Sequence, residues 1–300
     1  MHIEVTIQSG GKRLNAESSQ SNMNNPLFTV ITVVFNGAKE LESTIQSVQN
    51  QSCRNLEYVV IDGGSTDGTL DVLRRYENLI GYWMSGPDKG VYDAFNKACR
   101  LIKGEWTIFL GAGDVFYDAE VLESMTEAVQ NVSAETEIVY GKVCVVNEQN
   151  SSGELLNWPW PQMRDTWQGG RPMVPHHQGV FHRKRLLSME SPFDISYRIA
   201  ADSKLFYTSI SRVDPAFADV VVARSLLGGL STEPKYYIDN LNEIVRINSE
   251  FGFVNQPHLL WFYLKSVVKY SIFKAGNDRL AKRFVDIYRQ LTGRKPKWIL

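Results

Sequence analysis

Hydrophobic and polar positions divide the chain into alternating blocks. Residues 28–35, FTVITVVF, are β-branched and aromatic without polar alternation, which predicts a strand covered on both faces. Asn36 and Gly37 break the run, and AKELESTIQSVQNQ follows with Leu41, Ile45 and Val48 at helical spacing. LEYVVID (56–62) predicts a second covered strand, broken by GGSTDGT before the helical LDVLRRYEN. A shorter strand is expected around IGYWMS (80–85). A helix is expected within 88–104, with Val91, Phe95, Ala98, Leu101 and Ile102 on one side. WTIFL (106–110) predicts the next strand, and AEVLESMTEAVQNV after Asp118 another helix. Such alternation means a mostly parallel sheet with helices on both faces. Ligands of these sheets bind outside the carboxyl ends of the strands, where Asn36, Asp62 and Asp114 fall.

Beyond Asn147 the pattern changes. IVYGKVCVV (138–146) predicts a strand, but NWPWPQMRDTWQGGRPMVPHHQ has no period. A long aperiodic segment in a compact domain is either a lid or binding loop, or a surface excursion, here anchored by its tryptophans. VFHRKRLL predicts a short strand entering a helix, ADSKLFYTSISR a helix, and 233–300 mainly helices.

Composition narrows the classes. Three hundred residues with 43% hydrophobic content and a net charge of -1 fit a globular chain and exclude a nucleic-acid coat over the whole surface. Cys53, Cys99 and Cys144 are too sparse for a disulfide framework or a zinc spacing and suit a reducing cytosol. The N-terminus lacks a basic region followed by an apolar core, so no signal peptide is expected. Its Ser, Asn, Gln and Gly content predicts a loose tail over 1–26. No apolar run reaches the roughly 18 residues of a membrane span. Residues 258–300 carry ten Lys or Arg against two Asp, interleaved with aromatic and aliphatic residues. That pattern suits an interfacial helix on anionic lipid, a helix packed on the domain, or a dimer contact.

Two stretches carry candidate chemistry. IFLGAGD (108–114) runs from apolar residues through small ones to a solitary carboxylate, Asp114. A buried charge is costly unless paired or metal-bound, so this is either a capped tight turn or the lip of a site. DGGSTDGT (62–69) is neither a P-loop nor a G-x-G-x-x-G fingerprint. Ser65, Thr66 and Asp67 can cap the next helix, while Asp62 before two glycines can face a base or ribose at close approach.

Six blocks in order extend this picture: TVITVVFNGAKELESTIQSVQNQ, EYVVIDGGSTDGT, SGPDKGVYDAFNKACRLIKGEWTIFLGAGD, HHQGVFHR, YRIAADSKLF and GGLS at 228–231. With them the chain resembles the inverting, nucleotide-sugar-dependent glycosyltransferases of family 2, over about residues 27–230. Within that family it resembles the exopolysaccharide, colanic-acid and O-antigen branch. The resemblance implies an α/β GT-A fold, Rossmann-like and mostly parallel, with a helical C-terminal extension. With the composition at either end, the expected division is a flexible tail at 1–26, a glycosyltransferase domain at 27–232 and a helical basic amphipathic region at 233–300.

The resemblance also assigns residues. Thr32, Val34 and Asn36 match the nucleotide-binding end of the first strand, Asp62 the carboxylate on the base, and Asp88, Lys89 and Gly90 the donor contacts. Asp114 matches the last carboxylate of the D-x-D motif that holds Mg²⁺ or Mn²⁺, with Gly113 leaving room for the sugar. Ala112 replaces the first Asp of that motif, which weakens the expected metal site. Asp202 matches the general base, and is also a plausible helix N-cap. Of His176 and His177, adjacent residues that cannot face the same way on a strand, one is expected to touch acceptor or metal. The implied partners are a nucleotide-sugar donor, a saccharide acceptor carried on lipid, and an anionic membrane surface. No nucleic acid is expected. The location implied is cytoplasmic, peripheral at the inner face of the cell membrane. A nucleotidyltransferase and a non-catalytic nucleotide-binding partner are the alternatives. FNGAKE offers only Lys39 for the first, and Ala112 is what admits the second.

Overall fold

The computed structural model describes residues 7–15, 25–147, 150–168, 170–226, 228, 233–253, 257–275 and 278–291. In chain order it begins with β1 (Gln8–Gly10), α1 (Lys12–Asn15), β2 (Phe28–Val34), α2 (Ala38–Gln49), β3 (Leu56–Asp62), α3 (Thr69–Arg75) and β4 (Tyr82–Ser85). There follow α4 (Val91–Cys99), β5 (Trp106–Phe109), β6 (Val115–Phe116), α5 (Val121–Gln130), β7 (Ile138–Asn147) and β8 (Asn150–Leu156). Then come α6 (Trp160–Asp165), β9 (Trp167–Gln168), β10 (Arg171–Pro172), β11 (Val180–Arg183), α7 (Lys184–Leu187), α8 (Ala201–Ile210) and β12 (Ala216–Leu226). Three helices close the described chain: α9 (Tyr237–Glu250), α10 (Pro257–Lys274) and α11 (Asp278–Leu291).

One sheet organises the molecule, in the order β1-β4-β3-β2-β5-β11-β7-β12-β6, with β8 beside β7. The predicted strands β2, β3, β4 and β5 pair in parallel. β11 runs antiparallel between β5 and β7, and β12 returns parallel to β7. The absence of polar alternation in β2 now has its cause. Phe28, Val30 and Val34 enter one core with Leu41 and Ile45 of α2, while Ile31 enters the other with Phe95 and Phe109. Ile247 of α9 belongs to that second core, so the C-terminal region begins as part of the domain body.

Two expectations are corrected. The loose tail over 1–26 is ordered at 7–15, where β1 pairs antiparallel with β4 and covers that edge of the sheet. Arg13 pins it: the guanidinium pairs with Glu57 and donates to the Leu101 carbonyl at 2.7 Å. The aperiodic segment after Asn157 holds α6 and the β9–β10 hairpin. Only one of its three tryptophans anchors it deeply: Trp160 is buried and its Nε1 donates to Asp214 at 2.9 Å, whereas Trp158 and Trp167 stay exposed. Apart from Gly228, the GGLS block lies outside the described residues, as do 1–6, 16–24 and 292–300. Among the described residues no helix is long and apolar enough to cross a membrane.

Candidate active site

Parallel register brings Val34, Asp62 and Ser85 side by side at the carboxyl ends of β2, β3 and β4. Asp62 is fully buried, and its neighbours use both of its oxygens. Oδ2 accepts the amides of Gly64 and Ser65 at 3.2 and 3.0 Å and the Ser85 hydroxyl at 2.6 Å, and Oδ1 accepts the Ser65 hydroxyl. In this structure the carboxylate therefore organises the turn rather than presenting itself to a ligand. The turn is knit to the end of β2. The Asn36 amide donates to Ser65 Oγ at 2.7 Å, and Asn36 Oδ1 accepts the Thr66 amide at 2.9 Å. Asp67 caps α2 by accepting the Ala38 amide at 3.0 Å.

Thr32 and Val34 do not form the lip, which corrects the expectation for both. Strand alternation sends them to the same side as Phe28 and Val30. Thr32 is fully buried and accepts the Tyr58 hydroxyl at 3.0 Å, while Val34 packs in the core. Phe35 stands at the lip instead, 67% exposed, an aromatic ring that the sequence reading passed over as one more strand residue. It lies against Gly63, where a Cβ would come within 3.3 Å of the ring and 2.5 Å of Asp88 Oδ2, so a side chain there would displace the Asp88 carboxylate. Asp88 Oδ1 accepts the Gly90 amide at 2.8 Å, and the exposed Lys89 donates its own amide to Asp93 at 3.0 Å. Asn36, Asp88, Lys89 and Gly90 thus gather around Phe35 and the start of α4.

The GAGD turn is held from below by Thr44 of α2. The Thr44 hydroxyl donates to the Asp114 carbonyl at 2.8 Å and accepts the Gly113 amide at 2.9 Å. Gly113 has φ 98°, which glycine adopts without strain. Ala112 packs partly buried against the core, where the missing carboxylate would have stood. Asp114 is 9% exposed, and its Oδ2 accepts the Gly111 amide at 3.0 Å. Burial raises its pKa above the usual carboxylate value, against the opposing pull of hydrogen bonds from Ser225 and Gln178, the His177 charge and the Gly111 amide. A cation would be favoured at such a carboxylate, since it offsets the cost of burying charge.

His177 links this carboxylate to the second one. Its Nδ1 lies 3.7 Å from Asp202 Oδ2, and its charge, when protonated, acts on Asp114. His176 turns outward and is exposed, while its amide donates to Oδ1 of the buried Asn157 at 2.8 Å. Asn157 also donates to the Gly141 carbonyl at 2.8 Å and so fixes the turn that aims His177 inward. Asp202 sits in the first turn of α8. Ala200 holds the N-cap position, so Asp202 is not the N-cap, although its Oδ1 accepts the first-turn amide of Ser203. A void of about 10 Å³, room for about one water, lies among Val174, Pro175, His177, Val180, His182, Asp202, Ser203 and Phe206. Burial pushes the His182 imidazole down to about 4, so that it is neutral. A larger hollow of about 360 Å³ runs from Met189 to Thr208 but contains none of the expected site residues.

Sequence reading missed Phe35, Gln178, Ser225, Asn157 and Tyr92. Gln178 and Tyr92 stood inside blocks already noted, HHQGVFHR and DKGVYDAFNK. Ser225 came from β12, a segment given no assignment, and Asn157 has φ 72°, which no local pattern announced.

Comparison with known proteins bears on the family and the fold. The model of glycosyl transferase family 2 matches residues 29–206. A PGL/p-HBAD biosynthesis glycosyltransferase of Mycobacterium bovis is 30% identical over 214 residues, covering 69% of this chain and 79% of that protein. An uncharacterized glycosyltransferase of Mycobacterium tuberculosis is 28% identical over 232 residues, covering 76% of this chain and 86% of that protein. Among solved structures, a mannosyltransferase of Pyrobaculum calidifontis in complex with GDP-Man and Mn²⁺ superposes with a TM-score of 0.58 at 18% identity, covering 91% of this chain and 82% of that one. S. aureus TarS 1–349 in complex with UDP superposes with a TM-score of 0.56 at 16% identity, covering 88% of this chain and 76% of that one. The sheet and its flanking helices are those of the GT-A fold, and the chain belongs to glycosyl transferase family 2.

Proposed function

We propose that the protein moves a sugar from a UDP- or GDP-linked donor to a saccharide acceptor, with inversion at the anomeric carbon. The observation that carries this reading is the placement of Asp114 and Asp202 on either side of His177, beside the strand ends. Asp202 takes the proton from the acceptor hydroxyl as its oxygen attacks the anomeric carbon. The bond to the donor diphosphate breaks on the opposite face, and the diphosphate leaves with the electron pair. The structural relatives bound to UDP, UDP-GlcNAc and GDP-Man support a nucleotide-sugar donor.

A divalent metal is part of the proposal. Among the described residues there is no group of three or more His, Cys, Asp or Glu that could hold one. The protein therefore offers an incomplete shell, in which Asp114 and His177 are the residues that would hold Mg²⁺ or Mn²⁺ and donor phosphates and waters would complete it. When bound, the metal neutralises charge growing on the leaving diphosphate. Affinity for metal alone should then be low.

Phe35 is proposed as the platform on which the base stacks, beside Asn36, Asp88 and Lys89. Calorimetric titration with UDP and with GDP, each with and without Mn²⁺, tests the donor class. Metal-dependent binding of one nucleotide is expected, binding of neither would count against both donor classes, and binding without turnover across acceptors would favour the non-catalytic alternative. Phe35→Ala should weaken the preferred nucleotide by about 10-fold, the scale of one lost stacking contact. An unchanged Kd would remove Phe35 from the site.

The acceptor is proposed to be lipid-linked, with the protein resting on the inner face of the membrane. Leu260, Tyr263, Leu264 and Val268 of α10 and Leu280, Ile287 and Leu291 of α11 are all more than two-fifths exposed. Lys265, Lys274, Arg279, Lys282 and Arg283 accompany them. Apolar rows flanked by cations suit an anionic lipid surface. Flotation with vesicles containing phosphatidylserine should carry the protein upward. Replacing Leu260, Leu264 and Ile287 by Ser should abolish that, and equal flotation of parent and variant would count against the idea.

A further inference from the structure

A helix outside the family match reaches the turn that carries the base. Glu243 lies on α9, well beyond residues 29–206. Its Oε1 accepts the Arg198 amide at 2.6 Å, and its Oε2 accepts the Ile199 and Ala200 amides at 2.9 and 2.8 Å. Three successive amides at the entrance to α8 thus converge on one carboxylate. Amides at a helix start have no intrahelical acceptor, and the helix dipole favours a negative charge there.

Tyr92 grips the same turn from the other side. Its hydroxyl lies 2.6 Å from the Ile199 carbonyl and 3.1 Å from Asp202 Oδ1. One hydroxyl proton serves one acceptor at a time, so Tyr92 is shared between the turn and the carboxylate. The ring is buried and stacked on Phe193 at 5.9 Å, which fixes where that hydroxyl points. Oδ1 of Asp202 also accepts the Ser203 amide at 2.8 Å. With Oδ1 held, Oδ2 is the oxygen left facing His177.

We propose that Glu243 and Tyr92 are positioning residues that clamp the 198–202 turn and aim Asp202 Oδ2 at the acceptor hydroxyl. The inference rests on Asp202 being the base. It extends the working machinery of the enzyme into α9, and it couples base to donor, because Tyr92 lies in the first turn of α4, two residues after Gly90. Misplacing a reacting group by about 1 Å can cost on the order of 10²-fold in rate.

Steady-state kinetics and nucleotide calorimetry on full-length Glu243→Gln and Tyr92→Phe test it. Gln keeps the size of Glu but turns one amide-facing oxygen into a donor. Phe keeps the ring stack and removes only the hydroxyl. Each should lower kcat by about 10-fold or more, with donor KM and nucleotide Kd within about twofold of the parent. A kcat within about twofold of the parent in both variants would overturn the proposal and leave a role in stability alone. If Glu243→Gln fails to fold, the near-isosteric Tyr92→Phe decides. Transfer that survives in Asp202→Asn would instead remove the base assignment, so the two failures are told apart.

Discussion

Asp202→Asn is expected to lower sugar transfer by about 10³-fold while nucleotide affinity stays within about twofold of the parent. The side chains are isosteric, and the amide oxygen can still accept the Ser203 amide and the Tyr92 hydroxyl that hold Oδ1. The turn therefore keeps its shape. What disappears is the basic oxygen opposite His177, and a carboxamide cannot take the proton that the acceptor must lose. The donor is proposed to gather around Phe35, Asn36 and Asp88 at the other strands, so its affinity should not follow the loss. Single-turnover transfer alongside calorimetric nucleotide binding reads both quantities. Full activity in a preparation free of parent enzyme would exclude Asp202 as the base.

Asp114→Asn should separate metal-dependent nucleotide binding from folding. The substitution removes the sole carboxylate of the GAGD turn, and transfer should fall by at least about 10²-fold, the scale of one lost electrostatic contact to a developing charge. The Mn²⁺-dependent part of nucleotide affinity should vanish with it. Stability should not fall, and should rise at pH above the folded pKa, because Asn can still accept the Gly111 amide and no charge is left to desolvate. The pH dependence follows from linkage. The raised carboxyl pKa means that the folded form holds this proton more tightly than the unfolded form does. Asp114 then contributes stability below its unfolded pKa and loses it as pH rises through the folded value. Thermal melts of the ligand-free protein across that range should flatten in Asp114→Asn. An unchanged melting profile together with unchanged Mn²⁺ dependence would remove Asp114 from the metal proposal.

The first half of the fold was legible because its signals are local. Runs such as FTVITVVF and LEYVVID are buried on both faces, and periodic Leu41, Ile45 and Val48 follow directly. The second half resisted. β11 inserts antiparallel between β5 and β7, and β12 carries few period signals because its burial alternates irregularly. The site divides along the same line. Asp62, Asp114 and Asp202 could be found from blocks in the chain, but their surroundings could not. Whether Asp62 faces solvent depends on Ser65 and Ser85, and those are set by the register of three strands. Thr32 was misplaced because a motif gives an address in sequence and not the side of the sheet. Glu243 lies in a helix that only tertiary packing brings beneath α8.

The strand order also says something about how the enzyme comes into being. Once Phe109 has left the ribosome, β2, β3, β4 and β5 all exist and can pair in parallel, and with them Phe35, Asn36 and Asp88 and the Asp62 that organises their turn. Ser225 beside Asp114 arrives with β12, and the Glu243 that braces Asp202 arrives later still. Synthesis therefore delivers the groups proposed to grip a nucleotide before those proposed to carry out transfer.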